Sequence, residues 1–123
     1  MKILLTATSP SIDSPVDPRF GRGAYLIVVD PVTMEWQAHA NPGIDAASGA
    51  GTQAAQFAAN LRVSTVISGD FGPNACNVLH AAGVTMYLLG MDSTVRQNIE
   101  LFKSGQLTHI DTPTTPRRHS LNK

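Results

Sequence analysis

The hydrophobic pattern of this chain first changes period, from 2 to 3.6, within residues 41–55, NPGIDAASGAGTQAA. Upstream of that point the apolar runs are short and rich in β-branched residues, as strands require. Downstream, Ala54, Phe57, Ala58 and Leu61 fall at i, i+3, i+4 and i+7, one face of a helix. A chain that opens with consecutive strands and then alternates helix with strand must build one sheet with helices packed on it. The junction passes from a Pro42-Gly43 turn through small residues, and Gly49, Ala50 and Gly51 leave the backbone almost bare where the helix begins. The first N–H groups of a helix lack internal partners and carry roughly half a positive charge. A bare helix start can therefore close on an anion. The same residues also suit a plain connection that lets segments pack closely.

Residues 2–7 form an apolar run without alternation, the signature of a strand buried on both faces. A polar, proline-marked loop, SPSIDSPVDPRFGRG, follows at 9–23 and is longer than a simple connection needs. AYLIVVD at 24–30 is a second strand. After a Pro31-Val32-Thr33 turn, 34–40 returns as a third, with Met34, Trp36 and Ala38 alternating against Glu35, Gln37 and His39. STVIS at 64–68 is the fourth strand, and the loop Gly69-Asp70-Phe71-Gly72-Pro73 feeds a second helix whose apolar face is Ala75, Val78, Leu79 and Ala82. Gly83 stops that helix, residues 84–89 form the fifth strand, and Asp92 or Ser93 caps a third helix with Val95, Ile99 and Phe102 inward, ended by Gly105. Residues 111–123, DTPTTPRRHSLNK, read as a flexible tail after a single domain over 1–110. With right-handed crossovers, the expectation is a ribonuclease-H-like three-layer α/β fold. Its mixed five-stranded sheet has the order 3-2-1-4-5, strand 2 antiparallel, with helices on its faces.

Ligands of open α/β sheets sit beyond the carboxyl ends of the parallel strands. Three loops should gather there, at 17–23, 42–51 and 69–74. Two of them feed helix starts, and Arg19 and Arg22 in DPRFGRG would add forked cationic donors to the same ligand. The bland reading pairs Arg19 with Asp17 and leaves Arg22 in solvent. Asp70 opposes an anion there unless it pairs with one of the arginines. Cys76 lies in the first turn of the second helix, where the dipole lowers a thiol pKa, and His80 follows four residues on. The two could be metal contacts, although a structural zinc site needs four ligands and a buried cysteine commonly acts as a small hydrophobe.

The formal net charge is zero, so bulk charge points to neither nucleic acid nor membrane. No apolar run approaches the roughly 20 residues that span a bilayer. One cysteine cannot form an internal disulfide, which makes a reducing, cytoplasmic setting the expectation. Two-metal phosphoryl chemistry needs carboxylates focused from the central strand, and KILLTAT carries none. There is no P-loop and no Ser-His-Asp spacing, and GAG is followed by TQAA rather than the rest of a dinucleotide fingerprint. No catalytic engine is visible, and the protein is expected not to be an enzyme.

VDPRFGR at 16–22, Val29-Asp30, Asn41, GAG at 49–51, GPNA at 72–75, Ala82-Gly83-Val84 and Gly105-Gln106-Leu107 resemble, in order and spacing, the dinitrogenase iron–molybdenum cofactor biosynthesis family. That family includes NifX, the cofactor-binding domain of NafY and the C-terminal portion of NifB. The resemblance covers about nine tenths of the chain. It implies a ribonuclease-H-like domain that binds or carries metal–sulfur clusters without catalysis of its own. Within the family, the short chain, the opening MKILLTAT and the solitary cysteine are similar to members that hold a molybdenum–copper sulfide cluster non-covalently.

The expected cargo is therefore an anionic molybdenum-containing metal–sulfide cluster, Mo-Cu-S or alternatively Fe-Mo-S, passed to a recipient or assembly protein. The residues expected to hold it are Arg19, Arg22, Asn41, Gly49, Ala50, Gly51, Gly72 and Asn74, with Cys76 and His80 as metal contacts. Two alternatives use the same loops: a small phosphate- or nucleotide-binding protein, and an adaptor that folds around a protein partner.

Overall fold

A computed structural model describes residues 1–44, 49–90 and 94–114. The expected caps Asp92 and Ser93 and tail residues 115–123 lie outside the described residues. The elements, in order, are β1 (Ile3–Ala7), β2 (Tyr25–Val29), β3 (Trp36–Ala40), α1 (Ala50–Asn60), β4 (Thr65–Ser68), α2 (Pro73–Ala81), β5 (Thr85–Leu88), α3 (Val95–Lys103) and β6 (Thr108–Ile110). They form one mixed sheet in the order β3-β2-β1-β4-β5-β6. β1 pairs antiparallel with β2 (Leu5 opposite Ile27) and parallel with β4 (Leu4 opposite Val66).

The expected order thus stands inside a six-stranded sheet, and the count of five is corrected. β6 pairs antiparallel with β5, His109 opposite Tyr87. Three residues are too few for a period to show, and β6 gains its conformation from pairing rather than from pattern. A second correction concerns β3, which begins at Trp36. Met34 has φ 63° and donates its N–H to the Asp30 carbonyl at 2.7 Å, while Asp30 Oδ1 accepts from the N–H groups of Val32 and Thr33. Met34 and Glu35 therefore belong to the turn, because the aspartate side chain organises it locally.

Every residue of β1 is buried, and alternate side chains serve opposite faces. Leu4 joins Leu26, Val66 and Met86 under α1 and α2, whereas Ile3 and Leu5 join Ile27, Ile67, Val95 and Ile99 under α3. α1 buries Ala50, Ala54, Ala55 and Ala58, side chains small enough to let it lie close to the sheet. Phe57 is only partly buried and meets His39 edge-on at 5.4 Å. Helix ends follow their punctuation. Gly83, at φ 76°, donates to the His80 carbonyl, and Val84 donates to that of Leu79; Gly105 and Gln106 repeat the arrangement after α3. α3 starts with a reciprocal capping box between Thr94 and Gln97.

Candidate functional site

The loop that leaves β1 is fastened to the ends of two central strands. Thr6 and Ser68, both fully buried, lie 3.1 Å apart through their hydroxyls. Thr6 Oγ1 donates to the Asp17 carbonyl and Asp17 N–H donates back to the Thr6 carbonyl at 2.9 Å. Ser68 Oγ and Gly69 N–H both donate to the Pro18 carbonyl, at 3.3 and 3.2 Å. Buried hydroxyls need such partners, so Thr6 and Ser68 dictate where the loop turns. A Cβ on Gly69 would stand 2.6 Å from Pro18 Cβ, which requires glycine there.

Fixed this way, residues 19–22 reach over the starts of α1 and α2. A Cβ added to Gly21 would stand 2.7 Å from Gly51 N, and one added to Gly43 would stand 2.4 Å from the Ala50 carbonyl oxygen. The three loops therefore meet at the carboxyl edge of the parallel strands, as expected. Between them is a hollow of about 260 Å³ lined by Arg19, Phe20, Gly21, Arg22, Ala50, Gly51, Asp70, Gly72 and Ala75.

The helix starts at this hollow differ from the third. Gly49 (φ 74°) precedes α1 and Gly72 precedes α2; neither start has a side-chain cap or an acidic residue in its first turn. At α3, Thr94 and Gln97 cap one another, and the N–H groups of Val95 and Arg96 donate to the carbonyls of Ser14 and Ile12. The α3 start is thus occupied by the protein itself. Those of α1 and α2 meet at the hollow with backbone donors that no side chain caps.

Of the residues expected here, Arg19, Arg22, Ala50, Gly51 and Gly72 line the hollow. Gly49 supplies the left-handed residue that starts α1, and a Cβ there would meet nothing within 4 Å. Asn41 is buried as a clip: Nδ2 donates to the Phe20 carbonyl and Oδ1 accepts from Gly43 N–H, each at 3.0 Å. Its side-chain amide thereby joins two loops of the site. Asn74 is exposed in the first turn of α2, outside the lining. Phe20, Gly21, Asp70 and Ala75 complete the wall, and their signal was the glycine-rich spacing of FGRG and GDFGPNA.

Cys76 and His80 are not brought together with these residues. Cys76 is packed among Ala54, Ala58 and Leu79 in the core, 3% exposed. The expectation of a lowered thiol pKa is corrected: burial, and then the negative charge of Asp111, push it up. His80 is exposed and borders a separate hollow with His109 and Asp111. No group of three metal-ligating side chains occurs among the described residues.

Charge in the wall is largely balanced. Arg19 donates to Asp17 through its backbone N–H and Nε (Oδ1, 2.9 and 3.1 Å) and through Nη2 (Oδ2, 2.9 Å). Burial pushes the Asp17 carboxyl up, but the side-chain and backbone hydrogen bonds of Arg19, with its charge, hold it below its ordinary value. The Arg19 side chain stays 66% exposed. Arg22 Nη1 donates to the carbonyls of Gly43 and Ile44, at 3.4 and 3.3 Å, tying the second loop to the first. Asp70 forms a backbone bridge with Arg19, and its Oδ1 accepts from Thr114 Oγ1 at 3.5 Å.

The family described as dinitrogenase iron-molybdenum cofactor matches residues 1–105. Among solved structures, the chain is similar to the apo form of the orange protein from Desulfovibrio gigas, with 36% identity and a TM-score of 0.88 over 93% of this chain and 96% of that one. It is also similar to a NifB-like protein of the DUF35 family from Thermotoga, with 28% identity and a TM-score of 0.80 over 95% and 97%. No curated protein sequence matches.

Proposed function

The chain belongs to the dinitrogenase iron–molybdenum cofactor family, and on that premise we propose that it binds and carries an anionic molybdenum-containing metal–sulfide cluster without catalysing a reaction. The observation that carries the proposal is the meeting of two helix starts without side-chain caps, together with Arg19 and Arg22, at one hollow. A preformed cluster brings its own sulfides and needs no thiolate from the protein. It needs N–H donors for its charge and apolar surface for its soft, weakly hydrated faces, and the hollow offers both. Backbone N–H groups of residues 50–52 and of residues 74 and 75, with the guanidinium of Arg19, are the donors; Phe20, Ala50 and Ala75 are the apolar contacts. The donor set fits a Mo-Cu-S or Fe-Mo-S cargo held non-covalently, so that it can be handed on to a recipient or assembly protein.

Anaerobic reconstitution with tetrathiomolybdate and copper tests this reading. The expected result is a coloured protein whose molybdenum comigrates with it through gel filtration. A colourless product without retained molybdenum overturns the proposal. Nucleotides and inorganic phosphate, added in place of the thiomolybdate, should produce no saturable change in the amide spectrum of residues 49–53 and 72–76; saturation by either would favour a phosphate-binding protein.

A further inference from the structure

The backbone of the loop between β4 and α2 is held almost residue by residue. Gly69 N–H donates to the Pro18 carbonyl at 3.2 Å, Asp70 bridges to Arg19, and the Gly72 carbonyl accepts from Cys76 N–H at 2.9 Å. Phe71 stands between Asp70 and Gly72, two residues of the hollow's wall. It is fully buried, and its ring lies against Phe20, another wall residue, with centroids 5.6 Å apart. The position of Phe71 therefore governs both where α2 starts and where the apolar surface of Phe20 lies. A backbone N–H and carbonyl buried at such a point need partners.

Thr114, 43 residues further on, supplies both. Its N–H donates to the Phe71 carbonyl at 2.9 Å, and its Oγ1 accepts from Phe71 N–H at 2.8 Å. The hydroxyl directs its own proton to Asp70 Oδ1 at 3.5 Å, which leaves a lone pair turned to Phe71. The chain arrives here from β6. Ile110 packs on the α1 and α2 side of the core, and Asp111 borders a hollow at the end of α2 with His80 and Gly83. Residues 110–114 thus lead from the end of α2 back to its start. Thr114 lies beyond residues 1–105, where the family match ends.

We infer that Thr114 is a positioning residue of the candidate site: by holding Phe71 at both its N–H and its carbonyl, it keeps the α2 start and the Phe20 ring where they receive an anionic sulfide cluster. The inference rests on the proposed function. Thr114 acts through Phe71 and not by contact with the cargo. Without the hydroxyl, a buried N–H loses its acceptor, which shifts the loop by about tenfold toward arrangements in which that N–H reaches water. Affinity then falls with the fraction of chains that keep the α2 start in place.

The test compares the full chain with Thr114→Val, which keeps the shape and the backbone N–H but has no hydroxyl, and with Thr114→Ser, which keeps the hydroxyl. Ile99→Val is the control for general loss of stability, because its cavity lies under α3 on the opposite face of the sheet. Each protein is followed by urea unfolding, by amide exchange at Phe71 and by anaerobic titration with tetrathiomolybdate and copper. Thr114→Val should stay folded, exchange the Phe71 amide about tenfold faster and bind about fivefold more weakly. Thr114→Ser and Ile99→Val should bind like the full chain. Unchanged binding by Thr114→Val, or unchanged exchange at Phe71, overturns the inference and leaves the carrier reading standing. Binding by Thr114→Ser as weak as that of Thr114→Val overturns it too, because the hydroxyl would then not be the cause. Equal weakening by Ile99→Val would assign the loss to stability at large and has the same consequence. A full chain that retains no molybdenum overturns the carrier reading, and the inference with it.

Discussion

Asp17 and Arg19 form the tightest polar knot at the hollow, and its behaviour with pH is fixed in sign. The folded protein holds the Asp17 carboxyl below its ordinary value, so the unfolded chain binds the proton more readily. The stabilisation is complete above the unfolded pKa of about 4 and is lost as pH falls through the lower folded value. Urea midpoints of the native chain and of Asp17→Asn should therefore differ at pH 7 and converge on acidification below about pH 4. A constant gap across that range would assign the difference to packing. Cys76 gives a second expectation at this scale. Its thiol is buried and its pKa raised, so Cys76→Ala should retain a reconstituted cluster while losing roughly 1 kcal/mol of stability. Loss of the cluster from a folded Cys76→Ala protein would make the thiol a ligand. Residue types were legible in advance here, but side-chain direction was not: the sequence places Asn41 beside the glycines, yet only the fold shows its amide turned onto Phe20 and Gly43.

At the level of the elements, the three helices end in two ways. α2 and α3 close on Gly83 and Gly105, which adopt positive φ at no steric cost. α1 closes on Arg62, held at φ 59° with its N–H donating to the Ala59 carbonyl. An L-residue with a Cβ pays about 1 kcal/mol or more in that conformation. Arg62→Gly should raise the urea midpoint by the equivalent of about 0.5 kcal/mol, once the added freedom of the unfolded chain is subtracted, with the denaturant slope unchanged. A lowered midpoint would mean that the Arg62 side chain stabilises α1 by more than its backbone costs. The glycine stops were readable because glycine is itself the physical requirement at such a position. The arginine stop carried no such mark, and neither did β6, whose three residues show no period. The start of β3 was misplaced for a related reason: Met34 and Trp36 keep strand alternation, while the Asp30 carboxylate decides the turn from outside that pattern.

For the whole molecule, strand order and the edge where the loops gather follow from chain connectivity, which is why both are legible in the sequence. What connectivity does not reveal is which end of the sheet is built to take a ligand, since the protein has a larger hollow at the other end. It measures about 460 Å³ and is lined by Lys2, Val28, Asp30, Met34, Glu35, Trp36 and Gln37. Size would favour it; chemistry does not. Its lining sets two carboxylates, Asp30 and Glu35, against the single cation Lys2, and no helix begins there. An anion entering it meets net negative charge, whereas at the opposite edge it meets two helix starts and two arginines. Titration of isotopically labelled protein with tetrathiomolybdate should therefore shift the amide signals of residues 19–22, 50–52 and 70–76, and leave those of residues 30 and 34–37 unmoved. Shifts concentrated at residues 34–37 would place the cargo at the wrong end of the sheet for every argument made from the glycine-rich loops, and the helix starts would then be simple close-packing connections.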